Sequence, residues 1–351
     1  MRWLLLLACF FTQSPLLAQT EEDARQHFPD VPDAWVEAVK YRNQYFSLGV
    51  LFGALLDYTV FDQDQQSIEQ VGKQENEFES RSVRLLFAGK LDFLGPWTYL
   101  VAAEYNGYDR APGDRAFYFV DVSLGRRFAN GSGSLRIGKQ KQPFVYEMVG
   151  DSANLMQHER FLEPFFVSRG WGVGYTHTWL EKRLGMQAGW YNNWFAEGGS
   201  FSGKGNQWAV RMTGLPIWRD EGARLLHLGI SARYQEDEDE FLRYRGRPGS
   251  HVTDFYVDSG DFEADYALHL GLEALWQAEN LTVVGEFVKA WVRADSVGNP
   301  QFHGYYVTAS YLFNGELRPY DTMVRYSRRV RPGGGWGALE PFVRFGRVNL
   351  D

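Results

Sequence analysis

From Tyr45 to its end the chain reads as one strand after another, with apolar and polar residues alternating at a period of two. Leu226, Leu228, Ile230 and Ala232 oppose His227, Ser231 and Arg233. Trp208, Val210 and Met212 oppose Gln207, Arg211 and Thr213. The pattern predicts thirteen strands, at 45–61, 79–93, 97–108, 117–128, 133–141, 170–179, 183–195, 205–215, 222–236, 265–277, 280–294, 302–313 and 336–349. Their connections alternate in length. Leu94-Gly95-Pro96, Ala129 to Ser132 with an Asn130-Gly131 turn, Leu180 to Lys182 and Ala278-Glu279 are tight, whereas 62–78, 142–169, 196–204 and 237–264 are long. The connection at 314–335 departs from that rhythm on the short side.

The first residues say which solvent such a sheet meets. Arg2, the apolar run Trp3 to Phe11 and the break at Ser14-Pro15-Leu16-Leu17-Ala18 form a secretory signal with cleavage after Ala18. Leu6-Leu7-Ala8-Cys9 has the look of a lipoprotein box, but would leave a signal too short to work. Cys9 is the chain's one cysteine, so the exported protein has no thiol for catalysis, disulfides or zinc. No later segment is apolar over the roughly 18 residues that a spanning helix needs. Aromatic residues make up 16% of the chain, with 12 Trp, 19 Tyr and 26 Phe, and they fall at strand ends: Trp97, Tyr99, Trp171, Trp179, Trp190, Trp194, Trp276 and Trp291. A sheet in lipid uses such rings at both membrane interfaces, whereas a soluble sheet has no comparable need. The predicted fold is therefore all-β, a transmembrane antiparallel β-barrel of the Gram-negative outer membrane, with short turns on the periplasmic side and long loops outside.

Two features qualify this barrel. Thirteen is odd, an antiparallel ring of odd number cannot close uniformly, and an open edge in lipid leaves backbone groups unsatisfied. With a C-terminus that lacks a terminal aromatic, the parity predicts a chain truncated before its last strands. Residues 19–44, acidic from Glu21 to Asp33 with Pro29 and Pro32, read as a periplasmic leader, in which 34–41 could make two helical turns.

Three blocks carry a resemblance to a known family. The first is Gly138-Lys139-Gln140-Lys141-Gln142-Pro143-Phe144, followed by Glu147 and Glu159-Arg160. The second is Gly304-Tyr305-Tyr306-Val307, Ser310-Tyr311 and Gly315-Glu316-Leu317-Arg318-Pro319-Tyr320. The third is Gly337-Ala338-Leu339-Glu340 with Arg344. In this order and spacing, over about residues 80–350, the chain resembles the phosphate-selective porin O and P family. The resemblance implies a 16-stranded, usually trimeric porin, of which about thirteen strands would be visible here, and a third long loop, 142–169, folded into the lumen. It makes Glu147, Met148, Glu159, Arg160 and Arg169 the constriction residues. Phosphate-selecting members place a lysine directly after the loop glutamate. Here that position is Met148, which counts against phosphate selectivity.

Parity assigns the lumen face. Arg84, Arg127, Arg136, Arg211, Arg233 and Arg344 point inward and suit an anion path, since a guanidinium stays charged and donates in a fork. Asp92, Glu104, Asp121, Glu273 and Glu286 counterbalance them, and cross-strand pairing that merely hydrates the wall is the bland alternative for each arginine. Lys139 and Lys141 fall on the opposite parity, near the outer rim, and could reach inward only if the strand has ended. Glu159-Arg160 reads as a buried pair pinning the loop, Glu340 and Arg344 as a wall salt bridge, and the acidic run 236–240 as a solvated outer tip that could hold divalent ions with lipopolysaccharide.

Other chemistries find little support. The formal net charge of −8 disfavours nucleic acid. The seven histidines show no metal-ligand spacing, so no metal or cofactor is expected, and Gly170-x-Gly172-x-Gly174 opens a strand and not a phosphate-cradling helix. The expected function is passive diffusion of small hydrophilic, anionic or phosphate-like solutes, with outer-membrane lipid, lipopolysaccharide and two further copies of the chain as partners. Two other readings fit the same barrel: a non-conducting structural or adhesive protein, and an outer-membrane hydrolase with a Ser/His/Asp site assembled across strands.

Overall fold

The computed structural model describes residues 36–351 except 96, 106–116, 129–130, 193–204, 237–240, 251, 314, 331 and 333–336. The signal peptide, most of the leader, Asn130, the connection 196–204 and most of the acidic run 236–240 lie outside the described residues. The long antiparallel strands form one sheet, in the order β1 (Val36–Arg42), β2 (Ser47–Thr59), β3 (Glu77–Leu91), β4 (Trp97–Tyr105), β5 (Phe117–Phe128), β6 (Gly133–Lys141), β7 (Arg169–Trp179), β8 (Leu184–Asn192), β9 (Gln207–Arg219), β10 (Arg224–Glu236), β15 (Tyr266–Ala278), β16 (Leu281–Arg293), β17 (Gln301–Tyr311) and β20 (Phe342–Asn349). Each strand pairs with its neighbours in the chain, and the only strands skipped are two-residue ladders inside two connections. These are β11 (Phe241–Leu242) with β14 (Phe262–Glu263), β12 (Arg245–Gly246) with β13 (Val257–Asp258), and β18 (Tyr320–Asp321) with β19 (Tyr326–Ser327).

The sheet has fourteen strands, one more than the alternation predicts, and the extra strand is β1. Residues 36–42, expected as helical turns, pair with β2 from Val36↔Phe52 to Arg42↔Ser47. The register slips between Glu37 and Val39, and that bulge breaks the period of two by which strands were recognised. Among the described residues the count is thus even, where the alternation predicts an odd one. β1 and β20 are the two edges of the sheet.

The alternation sorts the side chains as expected elsewhere. Trp208, Val210 and Met212 are exposed on the outer face, while Gln207, Arg211 and Thr213 between them are buried. Outward aromatic rings meet across neighbouring strands, as in Trp190–Trp208 (6.0 Å), Tyr234–Tyr266 (5.6 Å) and Tyr305–Phe345 (6.3 Å). Such pairs lie where amphipathic rings favour the lipid boundary.

Inside, the two halves of the wall differ. Along β10, β15, β16 and β17 the inward face mixes apolar Leu225, Leu275, Val284, Val288, Ala290, Phe302 and Tyr306 with buried polar residues such as His227, Glu273 and Glu286, and loop 142–169 lays Phe144, Tyr146, Met148, Leu162 and Phe165 against the apolar ones. The outer connection 237–265 settles over the same half. Tyr244 stacks 4.7 Å from Phe302 and shares a hydrogen bond of 2.9 Å with His269, and Arg247 clasps Glu163 of the loop at 2.9 Å. From the opposite end the connection 312–341 also turns inward, burying Arg325 and Tyr326. It meets the loop where Ser327 N donates to Tyr146 Oη at 2.8 Å and Arg329 N donates to Asn154 Oδ1 at 3.0 Å. The apolar half of the interior is thus packed with chain, and open space remains beside the polar half, β3 to β8.

Candidate functional site: a polar channel beside an anchored loop

The loop is held by buried carboxylates. Residues Tyr146–Val149 form one short helical turn, and Glu286 of β16 accepts hydrogen bonds from its first two amides, Tyr146 N (2.5 Å) and Glu147 N (3.1 Å), and from Tyr306 Oη (2.7 Å). The turn's free first amides are thereby satisfied by an acceptor on the wall. Glu147 then folds the rest of the loop around itself. Its carboxylate accepts from Gln157 Nε2 (2.7 Å), Phe161 N (2.8 Å) and Leu162 N (3.2 Å) and lies 3.5 Å from Arg344. Burial dominates its titration and holds the Glu147 carboxyl above the usual range, against the opposing pull of Arg344 and the two amides. For Glu159 burial pushes the same way, but Arg160 and Arg81 outweigh it and hold the carboxyl below the ordinary range. Arg81 bridges Glu159 Oε2 (2.9 Å) and Asp57 (2.5 Å), tying the loop to β2 and β3.

The expected lumen arginines divide into two groups. Arg211 is fully buried, bonded to Glu273 at 2.6 and 3.0 Å, to Gln187 Oε1 at 2.7 Å and to the Arg325 carbonyl at 2.8 Å. His227 completes this knot, reaching Glu273 (2.7 Å) and Tyr320 Oη (2.6 Å). Arg233 donates to the Phe165 carbonyl (3.2 Å), Arg344 to the Glu159 carbonyl (3.1 Å) and Arg160 to the Glu147 carbonyl (2.8 Å). These four pack and position chain. Glu340, expected to pair with Arg344, pairs with Arg318 of the inner connection instead. That connection's inward fold brings Arg318 closer than any wall neighbour.

The second group faces open space. A cavity of about 170 Å³ is lined by Arg84, Arg136, Lys141 and Arg169, with Asp121, Asp151, Gln140, Gln142, Gln187 and Tyr191 around them. Arg84 pairs with Glu104 (2.6 Å) and Arg169 with Asp121 (3.2 Å). A smaller cavity continues from it along Arg81, Lys141, Met148, Glu159 and Arg160. Arg127 lines neither, and among the described residues its side chain makes no hydrogen bond or close ion pair. Lys141 reaches inward as a side chain off the lumen parity can where its strand ends: it is the last residue of β6, and its Nζ turns to the Gly150 carbonyl at 2.7 Å. Lys139, one residue pair earlier in the strand, stays on the outer side, bonded to the Phe119 carbonyl at 2.7 Å.

Sequence reading missed three contributors. Arg81 is an extra residue in a bulge, where Leu55 faces Ser82 and Leu56 faces Ser80, so parity counted from Arg84 points it the wrong way. Asp151 sits in the loop, where no periodicity applies. The glycines of β7 carry a signal that was read only for phosphate cradling. A Cβ at Gly172 would come 2.0 Å from the Trp190 carbonyl oxygen and 2.8 Å from the Tyr191 ring, and one at Gly174 would come 2.7 Å from Gln140 Oε1. Their bareness lets Tyr191 and Gln140 lie flat on the wall and leaves the channel its width.

The family model for phosphate-selective porin O and P matches residues 52–351. The chain belongs to that family. This porin resembles several solved structures. One is a loop L8 deletion mutant of OmpT, an outer-membrane protein of Vibrio cholerae (14% identity, 80% of this chain and 77% of that one, TM-score 0.44). Another is OprB of Pseudomonas putida (9% identity, 76% of each chain, TM-score 0.42). A third is a mutant of the Rh. blastica porin (10% identity, 86% and 100%, TM-score 0.33). No curated protein matches. Membership of the family makes the protein an outer-membrane porin for passive diffusion of hydrophilic solutes.

Proposed function

We propose that this porin is a weakly anion-preferring, general channel whose path runs along the β3–β8 side of the lumen, with loop 142–169 as its constriction. The observation that carries the reading is the lining of the larger cavity, where four cations, Arg84, Arg136, Lys141 and Arg169, meet two carboxylates, Asp121 and Asp151. Pores select by the sign and supply of charge at the narrowest ring. The pairing of Arg84 and Arg169 with carboxylates keeps the preference weak. The knot of Arg211, His227 and Glu273 is closed in on itself and serves the wall, so no enzyme activity is proposed for it. A homotrimer in the outer membrane, contacting lipid and lipopolysaccharide, completes the proposal, and phosphate is one solute among several. The leader role of residues 19–44 is proposed only for the part preceding β1.

Reversal potential in a potassium chloride gradient tests this reading, with chloride expected to permeate faster than potassium. Clear cation preference would sink it. Arg136→Ala should lower the chloride-to-potassium ratio by about fourfold, because removing a unit charge at about 10 Å in water shifts the two ions by about 0.4 kcal/mol each in opposite directions. Arg233→Ala, which alters a packed contact, should leave the ratio in place. The apolar packing of half the lumen favours one competing reading, a barrel that does not conduct. Absence of single-channel currents from correctly folded protein would establish that reading instead.

Met148 is buried yet lines the smaller cavity beside Arg81, Arg160 and Arg169. Met148→Lys would add a donor and a positive charge there. Phosphate should then block chloride current at a concentration lower by about tenfold, the effect of one more charge-assisted hydrogen bond. An unchanged block would show that position 148 does not face the path.

A further inference from the structure

The larger cavity holds acceptors as well as cations, and two of their side-chain oxygens meet no donor among the described residues. Gln142 is 1% exposed and Asp151 is 8% exposed, and both line the cavity. Gln142 spends its amide nitrogen on Gln207 Oε1 at 2.7 Å, which leaves Oε1 facing no donor among the described residues. Asp151 Oδ2 likewise finds no donor there. Buried acceptors in this state cost free energy unless something brings protons to them, and a charged carboxylate draws a cation more strongly than a neutral donor. A simple inorganic anion suits the guanidinium groups of Arg84, Arg136 and Arg169 but does nothing for Asp151. A solute with an anionic end and an ammonium end serves both sets.

From this juxtaposition we infer that the channel takes small zwitterions of the α-amino-acid class, with the carboxylate against the arginine side and the ammonium against Asp151 and Gln142. The inference rests on the proposed path through this cavity and deepens it. An ammonium offers three donors, enough for the Asp151 carboxylate and the Gln142 carbonyl together.

The test compares alanine with lactate, which match in size and differ in having an ammonium or a hydroxyl beside the carboxylate. Proteoliposomes containing the full chain are loaded and swelling rates are followed, with potassium chloride conductance recorded on the same preparation. Alanine should permeate about tenfold faster than lactate, and Asp151→Asn should abolish that difference. Equal rates in the unaltered protein, as expected if water alone serves these acceptors, overturn the inference, and this comparison needs no variant to fold. A difference that survives Asp151→Asn in a conducting variant also overturns it. Chloride preference with equal alanine and lactate rates defeats the zwitterion assignment and leaves the anion-preferring reading standing. A channel with cation preference, or none that conducts, defeats the reading beneath it.

Discussion

Replacing Glu286 by alanine is expected to free loop 142–169 from the wall and to raise single-channel conductance. The carboxylate of Glu286 is the acceptor for the first two amides of the loop's helical turn and for the Tyr306 hydroxyl, all buried. Alanine leaves three donors unpaired in a water-poor interior, at about 1–3 kcal/mol each. The apolar contacts of Phe144, Leu162 and Phe165 remain to oppose release, so the expected state is a loop that opens repeatedly, not one that is lost. Single-channel records should show a higher conductance with frequent steps, and protease should cut within 142–169. Glu286→Gln keeps one acceptor oxygen and should fall between the two. A variant with the unaltered conductance, flicker and protease resistance would mean that apolar packing alone holds the loop.

Arg211→Ala should be the most destabilising single change in the wall. Arg211 is wholly buried and saturates Glu273, Gln187 and the Arg325 carbonyl at once. Its removal strands the Glu273 carboxylate in the interior with His227 as the remaining partner, and breaking such a pair costs about 3–5 kcal/mol. The bond to the Arg325 carbonyl is lost as well, so the inner connection should loosen with the barrel wall. The denaturant midpoint of the refolded protein reads the first effect. The double change Arg211→Met with Glu273→Leu should recover most of the loss, because a matched apolar pair needs no charge partner. If the single and double variants are equally destabilised, the pair is not the source.

How much of this was legible beforehand depended on whether period two held. Where it held, as in β10, β15 and the part of β9 before its bulge past Gly214, both the strand and the facing of Arg211, His227 and Glu273 followed from counting residues. Where a bulge intruded, at Glu37/Val39 or opposite Leu55/Leu56, a whole strand or the side of Arg81 was lost. Parity says which face a residue occupies, but not what meets it there. Arg84 and Arg211 look alike along the chain. One lines open space and the other is sealed by Glu273 and the inner connection, and only the paths of the long connections separate them. Asp151 and Gln142 belong to those connections or to a strand's last step, beyond the reach of any periodic argument.

The half-filled interior has a consequence for ions in transit. Because packed chain occupies the β10–β17 side, a solute on the proposed path would move along one wall, past Arg84, Arg136 and Asp151. In bulk solution at physiological salt, charges are screened over about 8 Å by a cloud of mobile counter-ions. A cavity of about 170 Å³ has no room for such a cloud to form. The fixed charges of this porin therefore act on each passing solute almost unshielded, and its discrimination should be far less sensitive to the saltiness of the surroundings than that of a wide, water-filled pore.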